Sequence, residues 1–178
     1  MKAHPQAAGQ KTIRQDAALG RSKGGLTTKL HAVVDALGNL VHVHLSAGQE
    51  SDCKYFARMA ARLPASVQVV VADKGYDTNA IVAHLAERQI AAVIPAKKNR
   101  KQGRVLDENL YEDRNKVERF FLKIKQNRAV ATRYDKKAAC FLAVIHLAAI
   151  MHWLARIAVH TLYSSFRVGV WVGVARFS

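Results

Sequence analysis

Val67-Gln68-Val69-Val70-Val71-Ala72-Asp73-Lys74-Gly75-Tyr76-Asp77 decides the architecture. The nearly continuous apolar run from Val67 to Ala72 suits a central strand covered on both faces. It stops at a polar turn that Gly75 makes easy to close. A carboxylate just past a buried strand lies where α/β folds gather their functional groups. Asp73 therefore has two readings: it starts the turn, or it has a chemical task. Asp77 or Thr78 is better placed to cap the helix that follows to about Arg88, in which Ile81, Val82 and Leu85 have helical spacing.

Upstream, Leu26 to Val34 places Leu30, Ala32 and Val34 on one face. After the turn Asp35-Ala36-Leu37-Gly38-Asn39, the run Leu40 to Leu45 alternates Val41, Val43 and Leu45 with His42 and His44. These segments predict a β-hairpin. Ser51 or Asp52 caps a helix to about Arg62. Downstream, Ile90 to Ile94 is another buried strand stopped by Pro95, and a basic stretch, Lys97-Lys98-Asn99-Arg100-Lys101-Gln102-Gly103-Arg104, follows it. A long amphipathic helix is expected from about Glu108 to Arg128, and a last helix from about Lys136 to Thr161. The order of elements predicts an α/β domain with a mixed sheet covered by helices. Residues 1–25 are expected to form a basic, glycine-containing loop, residues 26–160 the folded domain, and residues 161–178 a tail that is either a strand or an unpacked extension.

Twenty-eight Lys and Arg face 13 Asp and Glu, a net charge of +15 in 178 residues. Such an excess repels itself unless a polyanion neutralises it, so nucleic acid is the first expected partner and an anionic membrane surface the second. Cys53 and Cys140 have neither metal-site spacing nor a disulfide pattern, and the histidines are read as structural or exposed. The uncharged stretch Ala138 to Ala155 approaches spanning length, but its alanines and His146 and His152 favour a buried core helix.

On a helix turning ~100° per residue, Tyr111, Arg114, Glu118 and Lys125 share a narrow stripe. It lies beside an apolar arc of Val117, Phe120, Phe121 and Ile124. Two readings stand: an i,i+4 salt bridge between Arg114 and Glu118, or a metal-binding carboxylate flanked by phosphate-binding cations.

The spacing Tyr111-x2-Arg114-x3-Glu118-x6-Lys125 resembles the signature of a subgroup of DDE transposases of bacterial insertion sequences. Ala72-Asp73-Lys74-Gly75-Tyr76-Asp77 is similar to that family's second-aspartate motif. The stretches 24–35, 94–100 and 132–136 also resemble the family, over roughly residues 3–154.

The resemblance implies a ribonuclease-H-like fold and metal-dependent cleavage and strand transfer on DNA. Two divalent metals, usually Mg2+, would be bridged by three carboxylates. Asp73 and Glu118 would be two of these ligands. Tyr111, Arg114 and Lys125 would contact DNA, and Lys97, Lys98, Arg100, Lys101 and Arg104 would add affinity that falls with salt. The resemblance places the first aspartate on a first strand just before Lys2-Ala3-His4. That strand is expected to be missing, since neither Asp16 nor Asp35 resembles its aspartate. The chain is therefore expected to be a truncated copy, inactive alone, with the neighbour of the lost strand left with an open ladder edge. Expected partners are element-end and target DNA and a second copy of the chain, in the cytoplasm at the nucleoid and away from membranes. The rival readings are a non-catalytic basic DNA-binding protein, a ribonuclease-H-like nuclease and a membrane-surface protein.

Overall fold

A computed structural model describes residues 18–22, 25–100, 106–157 and 169–176. The expected hairpin is β2 (Gly25–Asp35) and β3 (Leu40–Ala47), paired antiparallel from Thr28–Ala47 to Val34–Leu40. Asp35 builds the connecting turn, its Oδ1 accepting from the Leu37 and Asn39 amides at 2.9 and 2.8 Å. Within the N-terminal region expected to be a loop, Gly20–Ser22 (β1) pairs with the start of β2. The predicted central strand is β4 (Val69–Ala72), parallel to β5 (Ala91–Val93).

The tail, expected as either a strand or an unpacked extension, is a strand, and its place in the sheet is the unexpected part. Gly169–Arg176 forms strand β6, which lies in the middle of the sheet, antiparallel to β2 and parallel to β4. The sheet runs β1-β2-β6-β4-β5, with β3 on β2 as well. β2 is therefore paired on both edges, and the open ladder edge expected from a missing strand is absent there. Val170, Trp171 and Val172 are all buried and join the two halves of the sheet.

Helices cover both faces, which is why β4 is apolar on both and β2 is buried on both. On one side lie α1 (Cys53–Ala60) and α2 (Asn79–Glu87), burying Phe56, Met59, Ile81 and Leu85 against Val33, Val70, Ala72, Val170 and Val172. Thr78 is the cap of α2, accepting from the Ile81 amide at 3.2 Å. On the other side lie α4 (Asn115–Lys125) and α6 (Ala138–Ile157), burying Val117, Phe120, Phe121, Phe141 and Ile145 against Leu30, Ala32, Val34, Val71 and Trp171.

Two expected helices are corrected. The long helix from Glu108 to Arg128 is three pieces: α3 (Glu108–Glu112), α4 and α5 (Arg128–Ala131). The first break falls at Asp113 and Arg114, where the Arg114 amide reaches back only three residues, to the Tyr111 carbonyl at 3.0 Å. At the second, Asn127 caps α5, its Oδ1 accepting from the Ala129 amide at 3.1 Å. The last helix, α6, is not buried all round. Phe141, Ile145 and Ala148 make one buried stripe, while Leu147, Ile150, Met151, Trp153 and Leu154 are exposed. By length and composition Ala138–Arg156 could cross a membrane, with a mean hydropathy of 2.0.

Under α1, the β2 side chains that point away from α4 form a buried polar group. His31 is fully buried, with Nε2 2.7 Å from Ser46 Oγ, and its ring stacks 4.9 Å from that of Tyr55. Burial pushes its pKa from 6.5 down to about 4, against an opposing pull from Asp52. The unfolded chain takes up this proton at higher pH than the folded one does. His31 thus contributes stability that is complete above pH 6.5 and is lost as pH falls towards 4. A shift of that size corresponds to roughly 3 kcal/mol. His42 and His44 are shifted the same way, chiefly by burial. Chemical unfolding at pH 7 and at pH 4.5 is expected to show this loss, with a smaller one in His31→Gln; an equal loss in that variant would remove His31 as its source.

Candidate active site

Asp73 is the first residue beyond β4, and its Oδ1 accepts from the Lys74 amide at 2.7 Å, opening a 3-10 turn over Lys74–Tyr76. The turn-starting role is therefore real, and it leaves Asp73 on the rim of a cleft of about 400 Å³. Glu118, on the first turn of α4, lines the same cleft, as do Asp52, Lys74, Arg114 and Gly173. The two carboxylates singled out in the sequence thus face one space beside the sheet. Arg114 Nη1 lies 2.7 Å from Glu118 Oε1, so the i,i+4 salt bridge is also real. Its guanidinium sits 5.6 Å from the centre of the Tyr111 ring, a cation–π contact. Burial raises the Tyr111 pKa, with Arg114 opposing.

Lys125 does not line the cleft. It follows Glu118 by seven residues on α4, about 10 Å along the axis. The basic stretch has a structural anchor. Buried Asp77, the residue expected as an alternative helix cap, instead accepts from the Lys97 amide at 2.9 Å and from Arg100 Nε at 2.8 Å, and Arg100 Nη1 donates to Asn79 Oδ1 at 2.9 Å. The guanidinium expected on DNA thus ties the loop to the start of α2, while Lys97 and Lys98 are exposed. Lys101 and Arg104 lie outside the described residues.

Two cleft residues carry roles the sequence reading did not give them. Asp52 was assigned as a cap of α1, but it makes no side-chain cap there; its Oδ1 pairs with Lys29 Nζ at 2.8 Å. Lys29 is only 3% exposed and also donates to the Glu50 carbonyl. A lysine inside the predicted strand Leu26 to Val34, which holds no other Lys, Arg, Asp or Glu, was the available signal. Gly173 is the other. β6 sets Val172 beside Ala72, so the next residue of each strand, Gly173 and Asp73, meet at the cleft. A Cβ at 173 would come within 2.7 Å of Val117 Cγ1 on α4, the helix that carries Glu118. Where the strand next to Asp73 could offer a third ligand, it offers no side chain.

This donor set does not fit the two-metal centre that the resemblance implies. Among the described residues, no three His, Cys, Asp or Glu side chains gather closely enough to hold a metal ion. Glu118 is paired with Arg114 and Asp52 with Lys29.

The fold and cleft are those of a mixed-sheet, ribonuclease-H-like domain with acidic and basic groups at the strand ends. Residues 1–154 match the transposase DDE domain family. The chain is 35% identical over 130 residues, 72% of its length and 99% of the relative's, to a putative transposase for insertion sequence element IS6501 from Brucella ovis. No solved structure matches. The chain belongs to the DDE transposases of insertion sequences. β6 lies beyond the matched residues.

Proposed function

We propose that this chain binds the ends of its insertion sequence, and target DNA, with a phosphate backbone seated at the Asp73–Glu118 cleft, and that alone it binds DNA without cutting it efficiently. Family membership supplies the class of substrate, DNA, and the reaction of the complete enzyme, strand cleavage and transfer. The observation that carries the reading is the cleft itself. Arg114 and Lys74 stand beside Asp73 and Glu118, and glycine stands at position 173. A net charge of +15 supplies long-range attraction to a polyanion. Arg114 gives a planar donor for phosphate oxygens once Glu118 releases it, and exposed Lys97 and Lys98 add contacts without sequence preference. Asp73 and Glu118 would be two of the three divalent-metal ligands of a complete centre. DNA binding would place the protein at the nucleoid, in the cytoplasm.

The test is a binding titration with duplex DNA over a range of salt. Arg114→Ala is expected to weaken binding and to lower the slope of log affinity against log salt by about one. Glu118→Gln, which removes a negative charge from the cleft, is expected to keep or raise affinity. An unchanged slope in Arg114→Ala would take the phosphate away from this cleft.

A further inference from the structure

We propose that β6 is an exchangeable strand, and that two copies of this chain can pair by trading it. Each cleft then contains Asp73, Glu118 and Arg114 from one copy and the 172–173 segment from the other. β6 comprises residues 169–176, the last described element, yet it occupies the centre of the sheet. It pairs with Lys29–Asp35 on one side and Val69–Ala72 on the other, and all the other elements come from residues 20–157. Withdrawing β6 breaks no pairing between other strands. It leaves two ladder edges facing each other across a slot one strand wide, the kind of edge that recruits another strand. An element that all its sheet partners precede in sequence, and that leaves such a slot, suits domain swapping, because a second copy restores every contact the first one made.

The fit of β6 makes departure easier. Trp171 is 4% exposed, and its indole Nε1–H has no hydrogen-bond partner among the described residues, although the Lys116 ammonium lies 4.4 Å from its ring centre. A buried donor left unpaired penalises the closed form, and water satisfies it when the strand is out. Glycine at 173 weakens the strand interior. Both observations are local to β6 and independent of its place in the chain. The strand also reaches the cleft, so exchange would make the site a property of the pair rather than of the single chain.

Cysteine pairs at opposed positions trap whichever strand fills the slot. Val33 and Val172 face each other across β2 and β6, and Val70 and Val170 across β4 and β6. Opposed strand residues have Cα separations compatible with a disulfide. In a Cys53→Ser, Cys140→Ser background, Val33→Cys with Val172→Cys is refolded at a series of protein concentrations, oxidised, and run on a non-reducing denaturing gel. Val70→Cys with Val170→Cys repeats the reading at the other edge and serves if the first variant does not fold. Exchange predicts a shift from the monomer to the covalent dimer band, growing with concentration. Cross-linked monomer at every concentration would overturn the proposal. So would a native dimer that runs as monomer on the denaturing gel, because its copies would be joined through another surface.

Discussion

Deleting residues 169–178 is expected to abolish cooperative folding. Among the described residues β6 is the only strand paired with both β2 and β4, so its loss divides the sheet into β1-β2-β3 and β4-β5. It also removes Val170, Trp171 and Val172, which are 3%, 4% and 1% exposed and belong to both core clusters. At ~1.5–3 kcal/mol for each fully buried large side chain, the loss rivals the whole stability of an ordinary domain, about 5–15 kcal/mol. A single change isolates the largest part. Trp171→Ala is expected to cost about 3 kcal/mol, the low end for a buried tryptophan, because the indole N–H that it removes has no partner among the described residues. Circular dichroism during heating reads both variants. A deletion variant that melts sharply within a few degrees of the parent would show that β6 does not hold the sheet together.

Asp52→Ala is expected to cost about 3–5 kcal/mol, the cost of leaving one member of a buried ion pair alone. The lysine that remains, Lys29, is 3% exposed and keeps only the Glu50 carbonyl as acceptor among the described residues. The reverse change should be milder. Lys29→Met fills the same space with an apolar chain, and Asp52, 20% exposed, can still recruit water. Its expected cost is about 1 kcal/mol, within the range for volume-conserving swaps. The asymmetry is the diagnostic feature, and urea unfolding of both variants measures it. Equal and small losses would mean that the pair is solvated and that α1 is held down by its apolar face alone.

The hairpin, β4, β5 and the cap at Thr78 were legible because each is written in local pattern: alternation, an apolar run, a turn residue, a hydroxyl before a helix. The meeting of Asp73 with Glu118 was legible only as a consequence of the fold, since 45 residues separate them. β6 was not legible. Gly-Val-Trp-Val-Gly-Val-Ala-Arg states a strand weakly, and nothing local says that Val172 will lie against Val33. The Lys29–Asp52 pair was not legible because its members lie 23 positions apart and only the fold brings α1 over the polar face of β2. The breaks in the helix from Glu108 to Arg128 were hidden because its apolar spacing continues across them. The exposure of α6 was hidden by composition, since apolar residues on every face blur the single stripe that packs. Arg100 was placed on DNA by the family resemblance and its charge, and only the fold revealed Asp77 beneath it.

The central claim is that this chain presents a phosphate-binding cleft with two carboxylates of the transposase type, in which Asp52 is held by Lys29 and no further ligand stands beside Asp73 among the described residues. It is tested most directly by incubating the 178-residue protein with Mg2+ and a labelled duplex carrying its element's terminal repeat, then resolving the products on both native and denaturing gels. The account predicts a retarded complex whose DNA is recovered intact, with retardation reduced in Arg114→Ala. Efficient nicking at the element end by this chain alone, or no retardation at low salt, would contradict it.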